Sequence, residues 1–418
     1  MRVLPGGVLG GYYAPQELAF IVREARGARL VDFSGREYID YILGSGPLVL
    51  GHAHPAVVAA VEEQLRKGTT YFQLSEPTLA LAEEICRAVP CADQVRFCST
   101  GTEATFFALR LCRAFRRKDK ILKFEGGFHG THDYSLMSVG PRAPKAFPAP
   151  TPDSAGIPHA IQDEVLIAPF NDLSETEAMI EAHHQDLAAV IMEPFQRLIT
   201  PQPGFLEGVR AVTARRGVPL VFDEIVTGFR FAYGGAQEYY GVVPDVVALG
   251  KVVGGGFPSP RSRAGGTSCG TSRLTSTARP SSSPRRARST ATRSLPLPAW
   301  PPSPSSGSPE RMRASSRREP GSRTDWRAAA RTAGLAAQVA GEPPVFEIFF
   351  TDRPITDYRA SLAADRELHA AFTRAMLERG VVKAAGKFYV SLAHGADDVD
   401  RTIEIFAAAL KAAAEATH

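Results

Sequence analysis

An α/β fold is predicted for this chain: a mainly parallel sheet with helices on both faces, plus a small α+β domain at the carboxyl end. Three observations carry that expectation. Between residues 56 and 258, short β-rich runs alternate with helix-period patterns, the signature of a parallel sheet covered by crossover helices. From about Val345 the order changes to strand, helix, strand and helix, closing on RTIEIFAAALKAAAEA. Finally, 418 residues that are 44% hydrophobic and 22% charged can bury a large core and are too apolar for a broadly disordered chain.

Residues 1–55 read as an N-terminal segment. Its start, MRVLPGGVLGGYYAPQE, has no long apolar stretch after Arg2, so no secretory leader is expected, and no run elsewhere approaches a membrane span. A cytoplasmic location and no membrane partner follow as expectations. The large domain, 56–258, begins with a helix opened by Pro55 and closed by Gly68, with basic residues in its final turn. The expected strands are Gln94 to Cys98, Lys120 to Phe124, Leu187 to Met192, Pro219 to Phe222 and Asp245 to Leu249. A helix from Thr102 to Arg116 has Glu103 in its first turn and Arg113, Arg116 and Arg117 near its end, matching the helix dipole. Residues 327–418 form the small C-terminal domain. Five cysteines, Cys86, Cys91, Cys98, Cys112 and Cys269, make an odd number with no C-x-x-C pair, so neither a disulfide framework nor a metal site is expected.

Residues 259–326 break the pattern. They hold 13 Arg, 17 Ser and 10 Pro, and no Lys, Val, Ile, Phe or Tyr. A packed core cannot be built from them, and a disordered segment is expected. The segment carries +10 of formal charge while the whole chain carries +4, so the remainder is acidic and the basic balance does not argue for a nucleic-acid partner. A disordered linker and a nucleic-acid-binding tail are two readings. A third is favoured: joining the last base of each codon to the first two of the next, with GC-rich choices, decodes Arg285 to Leu295 as A-G-T-F-N-G-N-P-L. Ser259 to Arg273 similarly decodes as V-A-E-V-A-G-G-R-D-V-M-R-H-V. The segment therefore reads as a frame-shifted translation bounded near Pro258 and Trp326.

Three constellations carry chemistry. Cys98-Ser99-Thr100-Gly101-Thr102-Glu103-Ala104 lies between a strand and a helix, where free backbone N–H groups make a phosphate seat, although Thr100 or Thr102 capping an ordinary helix explains it equally. In Val221-Phe222-Asp223-Glu224-Ile225 the acids follow an apolar strand, at the end of the sheet where ligands bind; a lone Asp there more often faces solvent. Lys251, in Leu249-Gly250-Lys251-Val252-Val253-Gly254-Gly255-Gly256, sits between a strand and a glycine-rich turn, where desolvation readies an amine for covalent chemistry; alone it reads as a surface lysine. Together, a phosphate seat, a carboxylate and a lysine at the ends of parallel strands meet the needs of pyridoxal phosphate chemistry.

At these residues the chain resembles the class III, fold type I aminotransferases, and within them the glutamate-1-semialdehyde aminomutase branch. The resemblance rests on YIDYILGSGPLVLGHAHP at 38–55, VRFCSTGTEAT at 95–105, KFEGGFHG at 123–130, IMEP at 191–194, the run from 204 to 258 and VSLAH at 390–394. It implies pyridoxal 5′-phosphate as cofactor, with Lys251 carrying it and moving the proton between the substrate α-carbon and the cofactor. Asp223 would pair with the ring nitrogen. Thr100, Gly101 and Thr102 would hold the phosphate, with Ser99-Thr100 standing where the branch commonly has Asn-Ser. Phe128 would stack on one ring face and Ile225 on the other, and Glu193 and His129 would lie near the cofactor.

The implied activity is transfer of an amino group between an amino acid or amine and a carbonyl acceptor. Its alternative is an aminomutase that returns the nitrogen to a different carbon of the same molecule. Ser45, where the aminomutases usually have an aromatic residue before Gly-Pro, departs from that branch. The resemblance also implies a homodimer, in which a Gly-Thr-x-x-x-Asn-Pro element lends a threonine to the neighbouring subunit's phosphate. That element exists here only in the shifted reading, so an inactive remnant is the remaining alternative.

Overall fold

A computed structural model of the chain describes Leu4, residues 19–257 and 268–272, Trp326, Ala329 and Ala330, and residues 332–384 and 386–417. Among these, a seven-stranded sheet forms the centre, in the order β4-β10-β9-β8-β7-β5-β6. Its strands are β4 (Val95–Cys98), β5 (Lys120–Phe124), β6 (Val165–Ala168), β7 (Leu187–Met192), β8 (Leu220–Glu224), β9 (Val246–Leu249) and β10 (Ser268–Ser272). Pairs β5·β6, β5·β7, β7·β8 and β8·β9 are parallel, whereas β10 runs antiparallel to both of its neighbours. Strands β6, β7 and β9 are buried at every position, as expected when helices cover both faces of a parallel sheet.

The covering helices obey the punctuation of their sequences. Helix α1 (Pro55–Lys67) begins with proline and ends at Gly68, whose φ of 97° lies outside the range of most side chains. Helix α2 (Glu76–Ala88) follows it, and α3 (Gly101–Arg116) buries Ala104, Ala108, Leu109 and Cys112 against the sheet. Helices α4 (Leu173–His183) and α5 (Phe205–Arg216) pack on the large core with Phe124, Phe170 and Phe205.

Two smaller sheets flank this centre. The first joins β1 (Val22–Arg26), β2 (Arg29–Asp32) and β3 (Glu37–Asp40) to β13 (Val381–Val382), with Ile39 opposite Val381, so the chain's beginning and its tail share one sheet. The second contains β11 (Gln338–Glu342), β12 (Val345–Phe349) and β14 (Phe388–Tyr389). Helices α6 (Arg366–Glu378) and α7 (Ala396–Thr417) close over them. Trp326 sits in this second core, its ring 4.1 Å from Phe406 and 5.1 Å from Phe346.

Most of residues 259–326, where the frame-shifted reading applies, lies outside the described residues. Within it, residues 268–272 form β10. The slot between β4 and β9 exposes two rows of backbone N–H and C=O groups, and any proline-free stretch can satisfy them. Ser268-Cys269-Gly270-Thr271-Ser272 is such a stretch.

Candidate active site

The cofactor-site residues expected from the sequence lie at or beyond the carboxyl ends of β4, β5, β7, β8 and β9. Strand β4 delivers Thr100, whose hydroxyl accepts from Glu103 N at 3.1 Å, while Glu103 Oε2 accepts from Ser99 N at 2.6 Å and Thr100 N at 3.1 Å. This is a reciprocal capping box at the start of α3. Thr100 thus plays the plainer role of helix cap, with its hydroxyl proton left to offer an anion. The amides of Gly101 and Thr102, the first two of the helix, have no intrahelical acceptor and point outward from its positive end.

The loop after β5 is fastened to that helix. Thr131 N donates to Thr102 Oγ1 at 3.1 Å, and Gly130, at φ 95°, packs so tightly that a Cβ there would lie 2.6 Å from Thr102 Cα. From below, Lys123 Nζ donates to the carbonyls of Gly127 (2.9 Å), Ser135 (3.0 Å) and Met137. Lys123 has no exposed surface, and burial lowers its amine to about 7. The loop so held presents Phe128, with 39% of its surface exposed, and donates Phe128 N to Glu193 Oε1 at 2.8 Å. Glu193, at the end of β7, is thereby tied to the loop opposite it.

His129 turns inward. Its Nδ1 lies 2.8 Å from Asp223 Oδ2, and both residues are buried. Desolvation drives His129 down to about 3 and Asp223 up to about 7, since the site has too little solvation to hold two charges. A neutral imidazole donates from Nδ1, leaving its buried Nε2 an acceptor with no donor among the described residues. The other carboxylate oxygen, Asp223 Oδ1, accepts from Ile225 N at 3.1 Å. Ile225 meets the helix start: a Cβ at Gly101 would lie 3.2 Å from Ile225 Cδ1, so glycine makes room there.

Lys251 follows β9 and Gly250 and opens a single 3-10 turn, Lys251–Gly254. Its φ of 48° puts a lysine in the left-handed region, a conformation that costs about 1 kcal/mol and persists where surroundings impose it. Burial lowers its amine, Lys387 and Arg230 reinforce the effect, and Asp223 opposes it. The expected lysine and acid therefore share one electrostatic neighbourhood, and Ile225, two residues after the acid, meets the helix start.

Sequence reasoning passed over Lys123, Arg230, Lys387 and Tyr389. Each carried a signal: Lys123 interrupts the apolar run of β5, Arg230 stands between Phe229 and Phe231, and Lys387 immediately precedes the buried pair Phe388-Tyr389. Arg230 is 2% exposed, and its guanidinium lies 5.3 Å from the centre of the Tyr389 ring.

Comparison with known proteins agrees with this geometry. The family profile for aminotransferase class-III matches residues 12–266. A glutamate-1-semialdehyde 2,1-aminomutase of Pelotomaculum thermopropionicum is 40% identical, the alignment covering 99% of this chain and 96% of that one. Among solved structures, an omega-transaminase from Sphaerobacter thermophilus is 33% identical with a TM-score of 0.84, covering 99% of this chain and 95% of its own. A glutamate-1-semialdehyde aminomutase from Pseudomonas aeruginosa PAO1, solved in complex with PMP, has a TM-score of 0.76 at 25% identity, covering 94% of this chain and 87% of its own. Both its sequence and its fold, a fold type I arrangement, make this chain a member of the class-III aminotransferase family.

Proposed function

We propose that the site binds pyridoxal 5′-phosphate and that the chain is a transaminase, moving an amino group between an amino acid or amine and a carbonyl acceptor. The observation that carries this reading is the convergence of three groups at the ends of β9, β8 and β4: the half-buried Lys251 with its lowered amine, the Asp223–His129 pair and the open amides of α3.

The residues present fit that cofactor. Gly101 leaves space beside Ile225 that a side chain would fill, and the amides of Gly101 and Thr102 suit a phosphate. Asp223, costly to ionise when alone, is matched to a protonated ring nitrogen, and His129 fixes its orientation through the 2.8 Å contact. Phe128 offers an exposed ring face and Ile225 an apolar one, with Glu193 holding Phe128 in place through its backbone. When bound, the cofactor supplies an aldehyde for amines and an electron-withdrawing ring. Lys251 holds the aldehyde end and then carries a proton on Nζ to and from the substrate α-carbon. The lowered basicity of its amine favours the unprotonated form that this exchange needs.

A second reading, intramolecular transfer by an aminomutase, is favoured by one observation: the 40% identical relative bears that name. Ser45 weighs against it, since this loop lacks the aromatic residue usual in that branch. Incubation of the cofactor-loaded chain with a panel of amino donors, with and without a keto acid, separates them. A transaminase consumes donor only when acceptor is present; turnover without acceptor selects the mutase.

A homodimer belongs to this proposal. Helix α1 buries none of its residues, and Val58, Leu65, Tyr71, Phe72 and Leu74 are exposed around it, with Phe72 at 90%. A concentration of large exposed apolar side chains along one stretch of chain suits an interface between two copies.

A further inference from the structure

Two cations beside the proposed lysine, the buried Arg230 and the half-buried Lys387, have no task in the chemistry described so far. Arg230 Nη1 donates to Val390 O at 3.2 Å and Nη2 to Gly46 O, while its buried Nε has no acceptor. Lys387 places Nζ 6.0 Å from the centre of the Tyr389 ring, the ring that Arg230 also overlies. Neither cation has a carboxylate partner among the described residues. The acids nearest in charge are already engaged: Glu193 binds Phe128 N and Arg197 N, and Asp223 binds His129 and Ile225 N. Arg197, the remaining cation here, is spent on Gly126 O and the Phe128 ring. Burial lowers Lys387 to about 8 and Arg230 to about 10, so holding both as cations is costly. A fold that retains two such charges on one aromatic ring, within the electrostatic reach of Lys251, is prepared for an anion.

We infer that Arg230 and Lys387 form a carboxylate-binding subsite over Tyr389, so that the preferred amino donors are amino acids and not simple amines. The inference rests on the transaminase reading of Lys251 and adds the substrate class. A carboxylate suits the subsite better than the cofactor phosphate, because the phosphate already has the end of α3. Arg230 supplies a planar fork anchored by two carbonyls, and Lys387 supplies a mobile point charge.

Calorimetric binding of glutarate to the cofactor-free full chain tests it, with inorganic phosphate as the second probe. Lys387→Met should weaken glutarate about 30-fold or more, Lys387→Arg should restore most of the loss, and phosphate affinity should be unchanged in both. In the cofactor-loaded chain, Lys387→Met should raise KM for an amino acid donor far more than for the same amine lacking its carboxylate, with kcat less affected. Equal glutarate affinity in all three proteins, no glutarate binding by the unmodified chain, or a loss of phosphate binding in place of glutarate overturns the subsite. Loss of glutarate binding in Lys387→Met, in a chain that never retains cofactor on Lys251, would instead overturn the transaminase reading and leave the anion subsite standing.

Discussion

Asp223 and His129 meet across two strands, through a 2.8 Å contact between a carboxylate at the end of β8 and an imidazole on the loop after β5. Because both are buried, the pair can hold little charge until a cation joins it. In the folded chain without cofactor, Asp223 is raised from 3.8 to about 7. Stability from its neutral form is therefore fully present below about pH 4 and is lost as pH rises through 7.

Asp223→Asn should consequently change sign with conditions. Without cofactor, the variant should melt higher than the parent at pH 8, by on the order of a few kcal/mol, and equal to it near pH 4. With pyridoxal phosphate, the same variant should retain cofactor less well at pH 8. Thermal melts at both pH values and cofactor retention on gel filtration check this; a variant less stable at pH 8 without cofactor contradicts it.

Lys123→Met tests the support beneath the cofactor loop. Three carbonyls lose their donor in a site with no water access, a loss of about 3 kcal/mol or more. Because burial lowers Lys123 from 10.5 to about 7, the parent should also lose stability as pH falls through 7, and the variant should lack that slope. Denaturant titrations at pH 6 and pH 8 read both effects.

Gly130→Ala should lower both stability and cofactor retention. The new Cβ would lie 2.6 Å from Thr102 Cα, and the position needs φ 95°, so a loss of about 2 kcal/mol or more is expected. Gly140→Ala, with nothing within 4 Å of its Cβ, is the matched control and should melt like the parent.

Pairing through α1 predicts that the 45.0 kDa chain elutes as a dimer and that Leu65→Glu combined with Phe72→Glu shifts it to a monomer. Light scattering coupled to gel filtration gives the masses. A parent that is already monomeric would remove the homodimer from the account.

The strands that position the site were legible because continuous apolar runs between turn residues have few alternatives. Lys120–Phe124 and Leu187–Met192 match their expected bounds, and the strand expected from Pro219 extends through Asp223 to Glu224. Val165–Ala168 went unassigned. The N-terminal strands were missed for a different reason: Val22–Arg26 and Arg29–Asp32 alternate weakly and are defined by pairing with one another and, through β3, with β13 near the other end of the chain. At the site, Lys251 and Asp223 were visible from their places after strands. The His129–Asp223 contact and the Arg230–Tyr389–Lys387 group were not, because they join loops whose approach depends on the strand order. Burial of Trp326 among Phe346, Phe388 and Phe406 suits a chain whose ordinary pattern resumes there, as the composition implies.

The most direct test is to treat the chain with pyridoxal phosphate, reduce it with borohydride and map the labelled peptide, both as written and with the reading frame of residues 259–326 restored. The label is predicted on Lys251, stronger in the restored chain and absent from Lys251→Ala. A label on Lys387, Lys123 or another lysine in its place, or no label in either chain, contradicts the account.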